Sequence, residues 1–123
     1  MPLPTVVIAQ KDPYITGELA NDLHAHFARV AVANSGVELR TLLLRHEARV
    51  AVLDLELIGL EEIRRMSDSF DDLVIVGTHR SPDEKLWMAA LNAGAAEFCH
   101  PQDIRSILRA SRSVTKHHVA IAA

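Results

Sequence analysis

A few side chains in this sequence could do chemistry together: Gln10, Lys11 and Asp12; Asp54; Thr78 and His79; Cys99 and His100. Each group ends or directly follows a short apolar run. Asp54 closes Val50-Ala-Val-Leu53, and a lone carboxylate at the end of a buried run is costly unless it is paired. Lys11 is of a type that points to solvent by default. Thr78 could cap or bridge a strand end. A histidine beside a phosphate or carboxylate titrates near neutral pH, although surface histidine is the commoner case. His79, Cys99 and His100 are metal-ligating types, and zinc needs such ligands converging at about 2.0–2.3 Å. Their spacing matches no metal motif, so no metal site is expected from them. Cys99 is expected to point into the core. QKDPY contains no glycine-rich phosphate loop, and no nucleophile–base pair is evident.

The elements that must position these residues follow from pattern. Thr5–Ala9, Arg29–Ala33, Val50–Leu53, Leu73–Val76 and Glu97–Cys99 are short apolar or β-branched runs. Each predicts a strand, and Thr5–Ala9, a continuous run without polar alternation, predicts one buried on both faces. Between them lie helical patterns. Asp12-Pro13 predicts an N-cap and a first-turn proline, and Ile15, Leu19, Leu23 and Phe27 predict a helix over Pro13–His26. Asn34-Ser35-Gly36 predicts a turn and cap before a helix to Glu47. Leu60–Phe70 is a third helix, with Leu60, Ile63 and Met66 as its apolar stripe. Ser81-Pro82-Asp83-Glu84 starts a fourth, ending near Asn92-Ala93 with Gly94 as C-cap; its Leu86 and Trp87 are expected in the core. Pro101 and Asp103 open a fifth, with Ile104, Ile107 and Leu108 facing in.

Five strands alternating with five helices predict an α/β, doubly wound parallel sheet covered on both faces. One domain is expected over 1–123, with a core at about 5–110 and 111–123 as a helix extension or tail, where His117 and His118 are expected to be solvated. In such a sheet the binding crevice lies outside the carboxyl ends of the strands, where the residues named above fall.

Composition narrows the function. The chain has 123 residues, 49% hydrophobic and 24% charged, and a formal charge of -3. These values argue against disorder and against a general electrostatic nucleic-acid binder, which needs a basic excess. Only 4% of residues are aromatic, which disfavours a base-stacking platform. A single cysteine excludes an internal disulfide framework. No apolar run reaches the roughly 18 residues of a membrane span, and no signal peptide is seen. A cytoplasmic location is expected.

In this arrangement the sequence resembles the receiver domain of bacterial response regulators, from about Thr5 to Leu108. Ile8-Ala-Gln-Lys-Asp-Pro13 resembles the end of the first strand, where receivers carry two acidic residues. Val52-Leu-Asp54-Leu55 resembles the strand with the phosphoacceptor aspartate, and Val76-Gly-Thr78 the strand ending in the switch hydroxyl. Ala93-Gly-Ala95 with Glu97-Phe98 resembles the run to the switch aromatic. His100-Pro101 sits where the family has Lys-Pro, with a one-residue gap after Phe98; without the gap the position is Pro101. The resemblance implies a flavodoxin-like sheet of order 2-1-3-4-5, and Mg²⁺-dependent phosphoryl transfer from a histidine kinase to Asp54. Mg²⁺ prefers carboxylates, waters and phosphate oxygens, while a lysine and the hydroxyl would stabilise phosphate charge.

The match is partial. Gln10 and Lys11 stand at the two acidic positions, and Asp12 aligns with a third that starts the helix. The loop after Asp54 is about three residues short, with Ile58 in place of a common proline. Losing two carboxylates weakens Mg²⁺ binding, so Asp12 and Asp54 are metal ligands only if Mg²⁺ binds, and no cofactor is expected. A Lys11–Asp54 ion pair is expected in the metal's place, since an opposite charge favours the ionised carboxylate. The resulting expectation is a degenerate (pseudo-receiver) signalling module, not an enzyme. Asp54 is the candidate phosphoacceptor, Thr78 and Phe98 are the switch residues, and Gln10, Lys11, Asp12 and His100 line the pocket. The expected partner is a protein, a histidine kinase or an effector, with neither nucleic acid nor membrane. A homodimer, if one forms, is expected through the fourth and fifth helices. Two other readings stay open: a small-molecule binder or enzyme using the same crevice, and a structural interaction domain such as the degenerate receivers at the head of some polar-localised ATPases.

Overall fold

A computed structural model describes residues 3–113. The elements alternate strictly: β1 (Leu3–Ala9), α1 (Pro13–His24), β2 (Phe27–Val32), α2 (Gly36–His46), β3 (Val50–Asp54), α3 (Leu60–Ser69), β4 (Val74–Thr78), α4 (Glu84–Ala93), β5 (Glu97–Cys99) and α5 (Ile104–Ser111). Every strand pairing is parallel, and the order is β2-β1-β3-β4-β5. The doubly wound sheet is therefore as predicted. The tail from 114 onward, with His117 and His118, lies outside the described residues.

Residue alternation along each strand sorts the core into two layers. Val7, Ala9, Ala51, Leu53 and Ile75 pack with Leu39, Leu43, Ile63, Met66, Ala90 and Phe98, so α2, α3 and α4 cover one face. Val6, Ile8, Val50, Val52, Val74 and Val76 pack with Leu19, Leu23, Ile107 and Ala110, so α1 and α5 cover the other. β1, β3 and β4 are covered on both faces, which is why they read as continuous apolar runs, whereas edge strand β2 buries only Phe27 fully.

Caps set the helix starts. Side chains of Asp12, Ser35, Asp83 and Asp103 accept from the backbone N–H of Tyr14, Glu38, Leu86 and Ser106. At the end of α4, Gly94 adopts φ 116°, and a Cβ there would collide with Ser67 of α3. Glycine is thus required twice over, by backbone conformation and by space.

Three expectations need correction. α1 ends at His24, not His26, and Phe27, the last residue of the predicted stripe, lies outside it. It opens β2, because Leu3 N–H bonds His26 C=O and Leu3 pairs with Phe27 in register. Its ring nonetheless joins the cluster of Leu19 and Leu23, so the stripe predicted burial correctly and the element wrongly. Leu60 lies at the exposed edge of the α3 stripe, while Ile63 and Met66 are buried. Trp87 is not core: it is 41% exposed.

Candidate functional site

The strands deliver their C-terminal ends to one edge. Asp54 and Thr78 are register partners on β3 and β4, and Thr78 pairs with Cys99 of β5. Chain order reverses between β1 and β3, so the crevice opens between Gln10-Lys11 and Asp54. A cavity of about 270 Å³ lies there, lined by Gln10, Lys11, Asp12, Ile15, Asp54, Glu56, Thr78, His79, Arg80 and Pro101.

Its floor is buried and polar. Gln10, Asp54 and Thr78 are 5%, 8% and 0% exposed. The Gln10 side-chain amide donates to Thr78 Oγ1 at 3.0 Å, and the Thr78 hydroxyl donates back to Gln10 Oε1 at 3.3 Å. Each satisfies the other, as buried polar groups must be satisfied. Both Asp54 oxygens accept backbone amides: Oδ2 from Lys11 N–H at 3.0 Å and Oδ1 from Glu56 N–H at 2.9 Å. The turn after Asp54 is wound tightly, since Leu57 and Ile58 N–H bond the Asp54 carbonyl at 3.0 and 2.8 Å. Buried Ile58 anchors it.

The expected Lys11–Asp54 ion pair is absent among the described ion pairs. The Lys11 main chain makes the contact instead, because the extended chain leaving β1 aims its N–H at the carboxylate. The Lys11 ammonium acts on Glu56. Glu56 has its carboxyl held below the usual range by the Arg80 hydrogen bonds first; burial opposes them, and the charges of Arg80, His79 and Lys11 then add to the lowering.

Asp12 lines the cavity but caps α1 through Oδ1 to Tyr14 N–H at 2.8 Å. His100 does not line the cavity. Pro101 forms that wall, and His100 Nδ1 instead accepts Gln102 N–H at 3.0 Å. Phe98 is buried against β4, where a Cβ on Gly77 would sit 3.3 Å from its ring. Cys99 is buried, and burial first, then the Asp103 and Glu97 charges, push its thiol up to about 12. A group with so little thiolate is chemically quiet. Among the described residues no group of three His, Cys, Asp or Glu is placed to hold a metal ion.

Two lining residues escape a reading of residue types. Arg80 clasps Glu56 in a bidentate pair, Nε to Oε1 at 2.8 Å and Nη2 to Oε2 at 2.9 Å. His79 Nε2 lies 3.8 Å from Glu56 Oε1, while its Nδ1 accepts Ser81 N–H. A signal for the pair existed: Asp54 and Thr78 are opposite in register, and Glu56 and Arg80 lie two residues beyond each.

The fold can now be set beside known structures. A response regulator from Thermotoga maritima superposes with TM-score 0.80 at 22% identity, over 90% of this chain and 99% of that one. The N-terminal signal receiver domain of a Bacteroides fragilis two-component response regulator gives TM-score 0.80 at 24% identity, over 91% and 99%. This chain has the response-regulator receiver fold. A Burkholderia pseudomallei response regulator described with a phosphorylated aspartic acid, calcium ion and citrate gives TM-score 0.77 at 22% identity, over 98% of this chain and 73% of that one. No protein-family model and no curated protein matches the sequence. Asp54 closes the third strand in this chain and Thr78 the fourth. No helix among the described residues is long and apolar enough to cross a membrane.

Proposed function

We propose that this chain is a receiver-fold signalling module that works by protein–protein contact and whose conformation does not depend on Mg²⁺-assisted phosphorylation of Asp54. One observation carries the reading: the polar side chains around Asp54 are already engaged within the protein. Gln10 is committed to Thr78, Asp12 to the α1 cap, and Glu56 to Arg80. The Lys11 side chain adds a cation where the fold's metal chemistry calls for an anion. Mg²⁺ binds through carboxylates and retained waters, and this donor set does not fit it. Nor does His100, aimed at Gln102, supply the cation the fold places beside the phosphate. The partner is proposed to be a protein of a two-component pathway, a kinase or an effector, and the module itself is not catalytic.

Intact-mass analysis after incubation with acetyl phosphate and Mg²⁺, beside an Asp54→Asn control, tests this. No mass gain in folded protein is expected. A gain of one phosphoryl group, lost in the control, would overturn the reading and make Asp54 the phosphoacceptor. The cavity favours a second reading. Its volume of about 270 Å³ approaches the roughly 300 Å³ where ligand pockets begin, so a small polar ligand could occupy it. A thermal-shift screen in which Thr78→Val abolishes a hit would support that reading.

A further inference from the structure

Three loops meet over the cavity. Residues 10–12 follow β1, residues 55–59 follow β3 and residues 79–83 follow β4. The first two are tied by main-chain bonds to the Asp54 carboxylate. The third is different. His79 N–H bonds Cys99 C=O, Ser81 N–H bonds the His79 ring, and Asp83 caps α4. Among the described hydrogen bonds, those joining residues 79–83 to the loop after β3 are the two from Arg80 to Glu56.

We infer that the Glu56–Arg80 pair is a built-in latch that ties the loop entering α4 to the loop carrying Asp54, so that the start of α4 is held without a phosphoryl group. The inference rests on the reading above in that one respect. Glu56 is suited to the role because its main chain is fixed: its own N–H is bonded to Asp54, and the next two N–H groups bond the Asp54 carbonyl. Its carboxylate therefore stands as a fixed anion at the cavity mouth. Arg80 supplies a planar fork matched to a carboxylate, and bidentate pairing gives direction as well as attraction. His79 stands behind the same oxygen at 3.8 Å and, when protonated, adds a second cation. The remaining charges facing the pair are Lys11 toward Glu56, and Asp54 and Asp12 toward Arg80. The latch is thus the centre of a network of alternating charges across all three loops. Arg80 is 71% exposed, which makes the latch openable: a competing charge or high salt reaches it.

The test uses Glu56→Ala, Arg80→Ala, the double variant and Arg80→Lys. Far-ultraviolet circular dichroism confirms folding. Water-exchange rates of the His79 and Ser81 amides are then read by NMR in the full chain. Each single variant is expected to speed exchange roughly threefold, as loss of an exposed ion pair does. The double variant should be no faster than either single, and Arg80→Lys, which keeps the charge and loses the bidentate fork, should fall between the parent and Arg80→Ala. Unchanged exchange in the singles, or single effects that simply multiply in the double, would overturn the latch. Acetyl phosphate labelling of Asp54 would sink the phosphate-independent reading instead, and it is scored by mass, not by loop exchange.

Discussion

Thr78 and Gln10 meet below the cavity as a closed pair, and the pair has a measurable consequence. Thr78→Val keeps the shape and removes the hydroxyl, leaving the buried Gln10 amide without its partner. An orphaned buried polar group costs about 1–3 kcal/mol, whereas replacing both partners by apolar groups can be nearly neutral. Thr78→Val is therefore expected to lower the unfolding free energy measured in urea by that amount, with Gln10→Leu/Thr78→Val recovering most of it. A double variant as unstable as the sum of the singles would show that the pair is not what satisfies either group. The same scale shows what residue types reveal. Asp54 was legible because a carboxylate closing an apolar run needs partners. That those partners are main-chain amides was not, since a sequence displays side chains and not where N–H groups point. Lys11 therefore suggested an ammonium contact that the Lys11 amide makes instead. Glu56 and Arg80 were overlooked because loop charges are usually solvated, and only the strand register sets them face to face.

At the scale of elements, caps and apolar runs made the order of strands and helices readable. Asp12, Ser35 and Asp103 act where the sequence placed helix starts, and the start at residues 81–84 is capped by Asp83. Boundaries failed where one pattern served two elements, as at Phe27, whose spacing continues α1 while its backbone begins β2. Asp103 carries a pH dependence. Its carboxyl lies below the ordinary 3.8, chiefly through the Ser106 side-chain hydrogen bond, then the Ser106 backbone bond, with Arg109 and Arg105 adding to this against a smaller effect of burial. A depressed folded value means that the ionised form contributes stability fully above the unfolded carboxylate's pKa. That contribution is lost as pH falls through the lower folded value. Asp103→Asn keeps a capping group and loses the charge. Its melting temperature should fall below the parent's at pH 7, and the gap should close below about pH 4. Asp103→Ala, lacking any cap, should cost about 1 kcal/mol. A gap between parent and Asn variant that persists at pH 2 would place the effect elsewhere than in the charge.

On the scale of the whole molecule, the sheet joins the Asp54 cavity to a surface. β4 carries Thr78 at its end and Gly77 one residue before, where the absent side chain lets the Phe98 ring lie against the strand. Phe98 in turn lines a groove of about 290 Å³ with Pro82, Asp83, Glu84 and Trp87 at the start of α4. The loop that Arg80 anchors therefore leads directly into the half-exposed face formed by Trp87 and Met88. The proposed protein-contact role requires such a face, and this one carries the chain's one tryptophan. Trp87 thus reports on its own surface. If a second copy covers α4 and α5, Trp87 emission should shift to shorter wavelength as concentration rises, in step with a doubling of mass by light scattering, because burial removes the indole from water. Trp87→Ala should keep the protein monomeric over the same range, since aromatic anchors dominate contact energetics. A mass that doubles with no change in Trp87 emission would move the contact away from α4, and with it the surface of the proposed partner contact.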